Sequence, residues 1–126
     1  MKDAQYAASR FVEARGTATG LSDYPGPLPD SLDTAYPVQS EAIARWDDKV
    51  VGWKVGRIQP HLVGPLAAER FIGPVFARTV AKAGAENCFP AFHAGIAMFE
   101  AELMISAAAD AINESDSIIP FDAASA

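Results

Sequence analysis

Ala4, Ala7, Ala8, Phe11 and Val12 recur at the three- and four-residue spacing of one helical face, and Gly16 follows them as a stop. Asp3 stands where a side chain can cap that helix. The stripe is built from small residues, so the helix must pack on another element to persist. Residues 17–30, TATGLSDYPGPLPD, lose the period and read as a connection rich in Gly, Pro, Ser and Asp. A second helix is expected over 33–46, with Tyr36, Ile43 and Trp46 as its packing residues. Pro37 fits such a helix only in or near its first turn, where a missing N–H does little harm. Asp47 and Asp48 supply the turn that ends it.

The period then changes to two. Val51, Trp53 and Val55 alternate with Val50, Gly52, Lys54 and Gly56, the clearest strand pattern in the chain. Lys54 projects from a face whose two same-side neighbours are glycines, which leaves room for a ligand and for close backbone approach. The same lysine also suits a solvated edge strand, where it deters aggregation. Residues 57–72 are expected to be irregular because Pro60, Gly64 and Pro65 interrupt them, with one helical turn over 67–70. Gly73-Pro74 opens a second strand over 73–80, and 84–90 is another turn region. The alanine-rich run 107–112 favours helix, and 113–126 has no period and reads as an irregular tail.

Between these lies GIAMFEAEL, residues 95–103. On a strand, Glu100 and Glu102 share a face; on a helix they point to nearly opposite sides. The strand reading sets two carboxylates side by side, a repulsion that a divalent cation removes, and their oxygens suit magnesium or manganese. The helix reading gives an Ile96, Phe99, Leu103 stripe with both glutamates in solvent, and local propensity leans that way.

Composition narrows the function. With 126 residues the chain is sized for one domain, and 50% apolar with 21% charged residues is ordinary for a soluble globular protein. A net charge of −6 argues against nucleic acid or an anionic membrane as partner, though not against a small anion held through a cation. Cys88 is the single cysteine, so no intrachain disulfide forms; with no signal peptide and no apolar run near the roughly 20 residues of a membrane span, a cytoplasmic protein is expected. There is no phosphate loop and no dinucleotide turn. His61 and His93 lack partners at zinc spacing; His93 is near enough in sequence to assist the carboxylates, and Cys88 reads as a packing residue.

Taken together, Ala35-Tyr36-Pro37-Val38-Gln39, Gly52-Trp53-Lys54-Val55-Gly56, Gly73-Pro74-Val75-Phe76 and Phe99-Glu100-Ala101-Glu102 resemble, in order and spacing, the 2-keto-4-pentenoate hydratase family of the fumarylacetoacetate hydrolase superfamily. The resemblance runs from residue 35 to 102. It implies an α+β fold, with N-terminal helices packed on a mixed, curved, barrel-like sheet. It implies that Glu100 and Glu102 sit on a strand as ligands to Mg2+ or Mn2+, and that Lys54 handles protons or steadies the developing charge, the proton role requiring burial and the metal to lower its pKa. Gln39 then contacts substrate or serves packing. The implied reaction adds water to a 2-hydroxy-2,4-dienoate through its 2-oxo-enoate tautomer, in aromatic-compound catabolism, with the metal as Lewis acid.

Two departures from the family pattern stand out. Where the family often carries an aspartate before the second strand, this chain has Phe71, with Glu69 as the nearest substitute for acid/base work. The family's third carboxylate ligand lies further downstream, and Asp110, Glu114, Asp116 and Asp122 do not sit in a matching context. Three outcomes follow from the resemblance: a hydratase completing its site in a homo-oligomer, a truncated non-catalytic relative that acts by association, or a related 2-oxo acid decarboxylase or acylpyruvate hydrolase.

Overall fold

The computed structural model describes residues 2–82, 84, 86, 88, 89, 91–96, 98 and 100–106. Among these the architecture is α+β: three α-helices, one 3-10 turn and a two-stranded antiparallel sheet. The helical tendency of 107–112 and the tail 113–126 lie outside the described residues, as do Ala97 and Phe99. No helix among the described residues is long and apolar enough to cross a membrane.

The first helix, α1 (Lys2–Gly16), carries Asp3 inside its first turn, where a carboxylate favours the dipole, and not as a cap. Its end also differs from expectation. Gly16 is still helical, and the left-handed residue is Ala18, at φ 48°. Thr19 N–H donates to the Ala14 carbonyl and Ala18 N–H to that of Arg15, the two bonds of a Schellman closure with alanine in the place that favours glycine.

The second helix, α2 (Leu32–Arg45), starts one residue earlier than the periodicity predicts. Ser31 and Thr34 exchange hydrogen bonds as a capping box, with Thr34 in the role usually held by Glu or Gln. Pro37 falls in the second turn, not the first, so Asp33 loses its intrahelical partner there. The two helices meet through Ala7, Ala8 and Val38, with Ala4, Ala42 and Tyr24 around them. Small side chains let the helix backbones approach closely.

The sheet is β1 (Val50–Arg57) paired with β2 (Arg70–Phe76), Lys54 opposite Gly73 and Gly56 opposite Phe71. The second strand begins three residues before Gly73 and ends at Phe76, after which residues 77–79 form the 3-10 turn; the strand expected over 73–80 is therefore shifted. Between the strands the irregular stretch contains α3 (Pro60–Leu66), with Pro60 in its first turn where it needs no donor. Ala67 closes this helix in the left-handed region, so the helical turn expected over 67–70 is replaced by a helix stop and the start of β2.

Helix α2 is fastened to the outer edge of β2. Gln39 Nε2 donates to the Ile72 carbonyl at 2.8 Å, and Ile72 N–H donates to the Tyr36 hydroxyl at 3.2 Å. Tyr36 and Gln39 are three apart and so share a helix face. Together they satisfy both outward-facing backbone groups of one edge residue, as a third strand would. Trp46 and Phe76 continue the contact at 6.3 Å between ring centroids. Phe76 is buried, whereas Val51, Trp53 and Val55 leave an exposed apolar face on β1.

Candidate functional site

Strand β1 presents Lys54 on the face it shares with Gly52 and Gly56, as its alternation predicts. The three positions differ in what surrounds them. A Cβ on Gly56 would lie 2.5 Å from the Phe71 ring, so the space above this glycine is filled by the aromatic opposite it. A Cβ on Gly52 would meet only the Val75 Cβ at 3.8 Å, and one on Gly73, directly across from Lys54, would meet nothing within 4 Å. The room expected beside Lys54 therefore exists on the Gly52 and Gly73 side and is closed by Phe71 on the other.

Lys54 Nζ donates to Glu100 Oε2 at 2.7 Å and lies 3.0 Å from Glu102 Oε1. Three residues singled out by sequence, from segments 46 positions apart, thus meet at one point. Residues 100–106 form neither helix nor strand, so the strand implied for this segment is absent from the described residues. No described strand pairs with it, and without a ladder an extended segment is not a strand. Both carboxylates nevertheless reach the same ammonium.

All three side chains are about half exposed. The hydrogen bonds to Glu100 and then Glu102 hold the Lys54 pKa above 10.5, outweighing desolvation. The hydrogen bond from Lys54 in turn holds the Glu100 carboxyl below 4.5. As placed here, Lys54 is an ammonium with two anionic acceptors and not a buried amine.

The two carboxylates are hard oxygen donors of the type that a divalent cation takes. Two hard carboxylate oxygens converge on a single positive centre, and the ammonium stands where a cation would be drawn. Magnesium is commonly held by one or two carboxylates together with substrate and water. Among the described residues no group of three His, Cys, Asp or Glu side chains is clustered for a metal.

The remaining candidates lie elsewhere. Glu69 is exposed and follows Ala68 just before β2; its carbonyl accepts from Ile58 N–H. It is four residues from Gly73, roughly 13 Å along an extended strand, with Phe71 between them. Gln39 is committed to the Ile72 carbonyl, which is its packing role. His93 joins Thr19 in an isolated backbone bridge, and its N–H donates to the Ala18 carbonyl. Cys88 is exposed, which corrects the expectation that it packs. Sequence reasoning missed Phe71 as the wall of the site; its place across from Gly56 depends on strand register, which no local pattern specifies.

No family model matches the chain, and comparison with curated proteins and with solved structures gives no match either.

Proposed function

We propose that the chain is a metal-dependent hydratase of the 2-keto-4-pentenoate type, acting on a 2-hydroxy-2,4-dienoate through its 2-oxo-enoate form. The observation that supports this best is the convergence of Lys54, Glu100 and Glu102 on one point beside an open glycine face. In this reading β1 and β2 are the first strands of a curved, barrel-like sheet of the fumarylacetoacetate hydrolase type, in a cytoplasmic homo-oligomer.

Glu100 and Glu102 would hold Mg2+ or Mn2+. The bound cation supplies Lewis acidity to the carboxylate and keto oxygens of a 2-oxo acid. Holding the ion there requires the Lys54 ammonium to turn aside, and the open backbone over Gly52 and Gly73 gives it somewhere to go. Turned aside, the Lys54 ammonium would deliver a proton to the substrate carbon chain and steady developing negative charge. Phe71 would supply an apolar surface for that chain. Glu69 is the second proton-transfer candidate, on the far side of Phe71.

Loss of dienoate absorbance that needs Mn2+ or Mg2+ and disappears in Glu100→Ala is the expected result; full activity in the presence of a chelator would sink the reading. A drop above about tenfold in kcat for Glu69→Gln, with KM kept, would assign Glu69 a proton-transfer part; an unchanged kcat removes it. Product analysis separates hydration from decarboxylation or acylpyruvate hydrolysis, which use the same metal and break a different bond.

A second reading, a non-catalytic relative that acts by association, is favoured by apolar exposure. Leu103 is 99% exposed and Ile105 92%, and the Val51, Trp53, Val55 face has no cover among the described residues. Sedimentation of the full chain tests it: a monomer unaffected by Trp53→Lys removes this reading.

A further inference from the structure

The end of α1 borders a cavity of about 630 Å3 whose lining includes none of Lys54, Glu100 and Glu102. Its apolar lining comes from separate parts of the chain, Phe11 from α1, Leu21 and Tyr24 from the connection, Trp46 at the end of α2, and Phe92, with Arg15, Thr19, Ser22 and Asp23 as its polar members. Phe11 and Tyr24 meet edge to face at 5.5 Å. Phe92 is brought there by backbone bonds from His93 N–H to Ala18 and from Gly20 N–H to His93, which tie its loop to the Schellman turn. Burial raises the Tyr24 hydroxyl pKa above 10, as an apolar wall should.

Arg15 is the only basic residue of the lining. Its guanidinium carbon lies 4.9 Å from the Trp46 ring centroid and 4.8 Å from that of Phe76. Both rings lie within cation–π reach of the guanidinium, and the Arg15 side chain is exposed. None of the ion pairs or side-chain hydrogen bonds among the described residues involves its N–H donors. A guanidinium beside two rings, at the side of an open and mainly apolar cleft of ligand size, suits a carboxylate.

We propose that this open cleft binds a small organic monocarboxylate with a ring-sized apolar body, its carboxylate on Arg15 and its hydrocarbon against Phe11, Tyr24 and Trp46. Asp23, the one acidic residue of the lining, disfavours a second anionic group on the ligand. The site uses neither the carboxylate pair nor a metal, so it stands or falls independently of the hydratase reading.

The chain has two tryptophans, so Trp53→Phe leaves Trp46 as the sole indole reporter. With chelator present, titration of that full-length protein with 3-phenylpropanoate should change Trp46 emission saturably. The neutral 3-phenylpropanamide should bind at least about tenfold more weakly, and so should the acid to Arg15→Met, since a charge-assisted hydrogen bond is lost in each case. Equal affinity for acid and amide overturns the proposal, as does a non-saturating signal or undiminished binding of the acid to Arg15→Met. The comparison of acid with amide keeps Arg15 in place and does not depend on how that variant folds.

Discussion

Small residues mark both the α1–α2 seam and the Lys54 face of the sheet, and they mean opposite things in the two places. Ala7 and Ala8 are small because another helix lies against them, and Ala8 is fully buried. Gly52 and Gly73 are small with almost nothing opposite, so their face stays open. Gly56 is a third case: on the open face by parity, yet covered by the Phe71 ring. A missing side chain therefore records either a close neighbour or a vacancy. Charge follows the same division. The seam carries no buried polar group, whereas the open face collects a lysine and two glutamates.

The contrast is most exposed to test at the two extremes. Ala8→Leu should destabilise the fold by about 1–3 kcal/mol through overpacking, whereas Gly73→Ala should leave it within about 0.5 kcal/mol; urea unfolding of both measures the gap, and equal effects would erase the distinction. Gly56→Val should behave like a seam position, losing about 1–3 kcal/mol against the Phe71 ring. In a Phe71→Ala background most of that loss should vanish, and a double-mutant cycle without coupling would show the ring to be irrelevant.

A smaller effect is expected where the helical layer grips the sheet. Gln39→Ala leaves the part-buried Ile72 carbonyl without its side-chain donor and should cost about 1 kcal/mol. Hydrogen exchange at Ile72 should quicken with it, and an unchanged rate would mean that Gln39 does not hold the strand.

The smallest signal is the titration of the exposed trio. The Glu100 carboxyl, depressed below 4.5 by Lys54, contributes stability above its unfolded pKa that is lost as pH falls through the folded value. Lys54, raised above 10.5, contributes stability below that pH that is lost as pH rises through its own folded value. The pair is therefore intact through the neutral range. Carboxyl carbon shifts should place the Glu100 midpoint below 4.5 and return it toward 4.5 in Lys54→Met; a midpoint that does not move would mean the contact is absent in solution.

Much of the fold was legible locally because helices and strands are written in periods. The alanine stripe identified the buried face of α1, and the alternation around Trp53 identified β1 and the side from which Lys54 projects. Boundaries were less legible. Gly16 looked like a stop, but the hydrogen bonds of the helix end chose Ala18 as the left-handed residue. Pro60 and Pro65 looked like breakers, yet Pro60 serves in a first turn. For residues 100–102 local propensity leaned to helix and the resemblance implied strand; the structure adopts neither, because a strand needs a partner ladder and none is supplied there by the described residues.

By itself, then, the sequence determined parity and chemistry: which side chains share a face, and that one lysine and two glutamates are the groups worth watching. Only tertiary structure decided proximity. Strand register set Phe71 over Gly56, the Tyr36 and Gln39 tether fixed the edge of β2, and chain closure across 46 residues brought Glu100 to Lys54. Periods are local properties of the backbone, whereas registers and closures depend on which surfaces find each other when water is expelled.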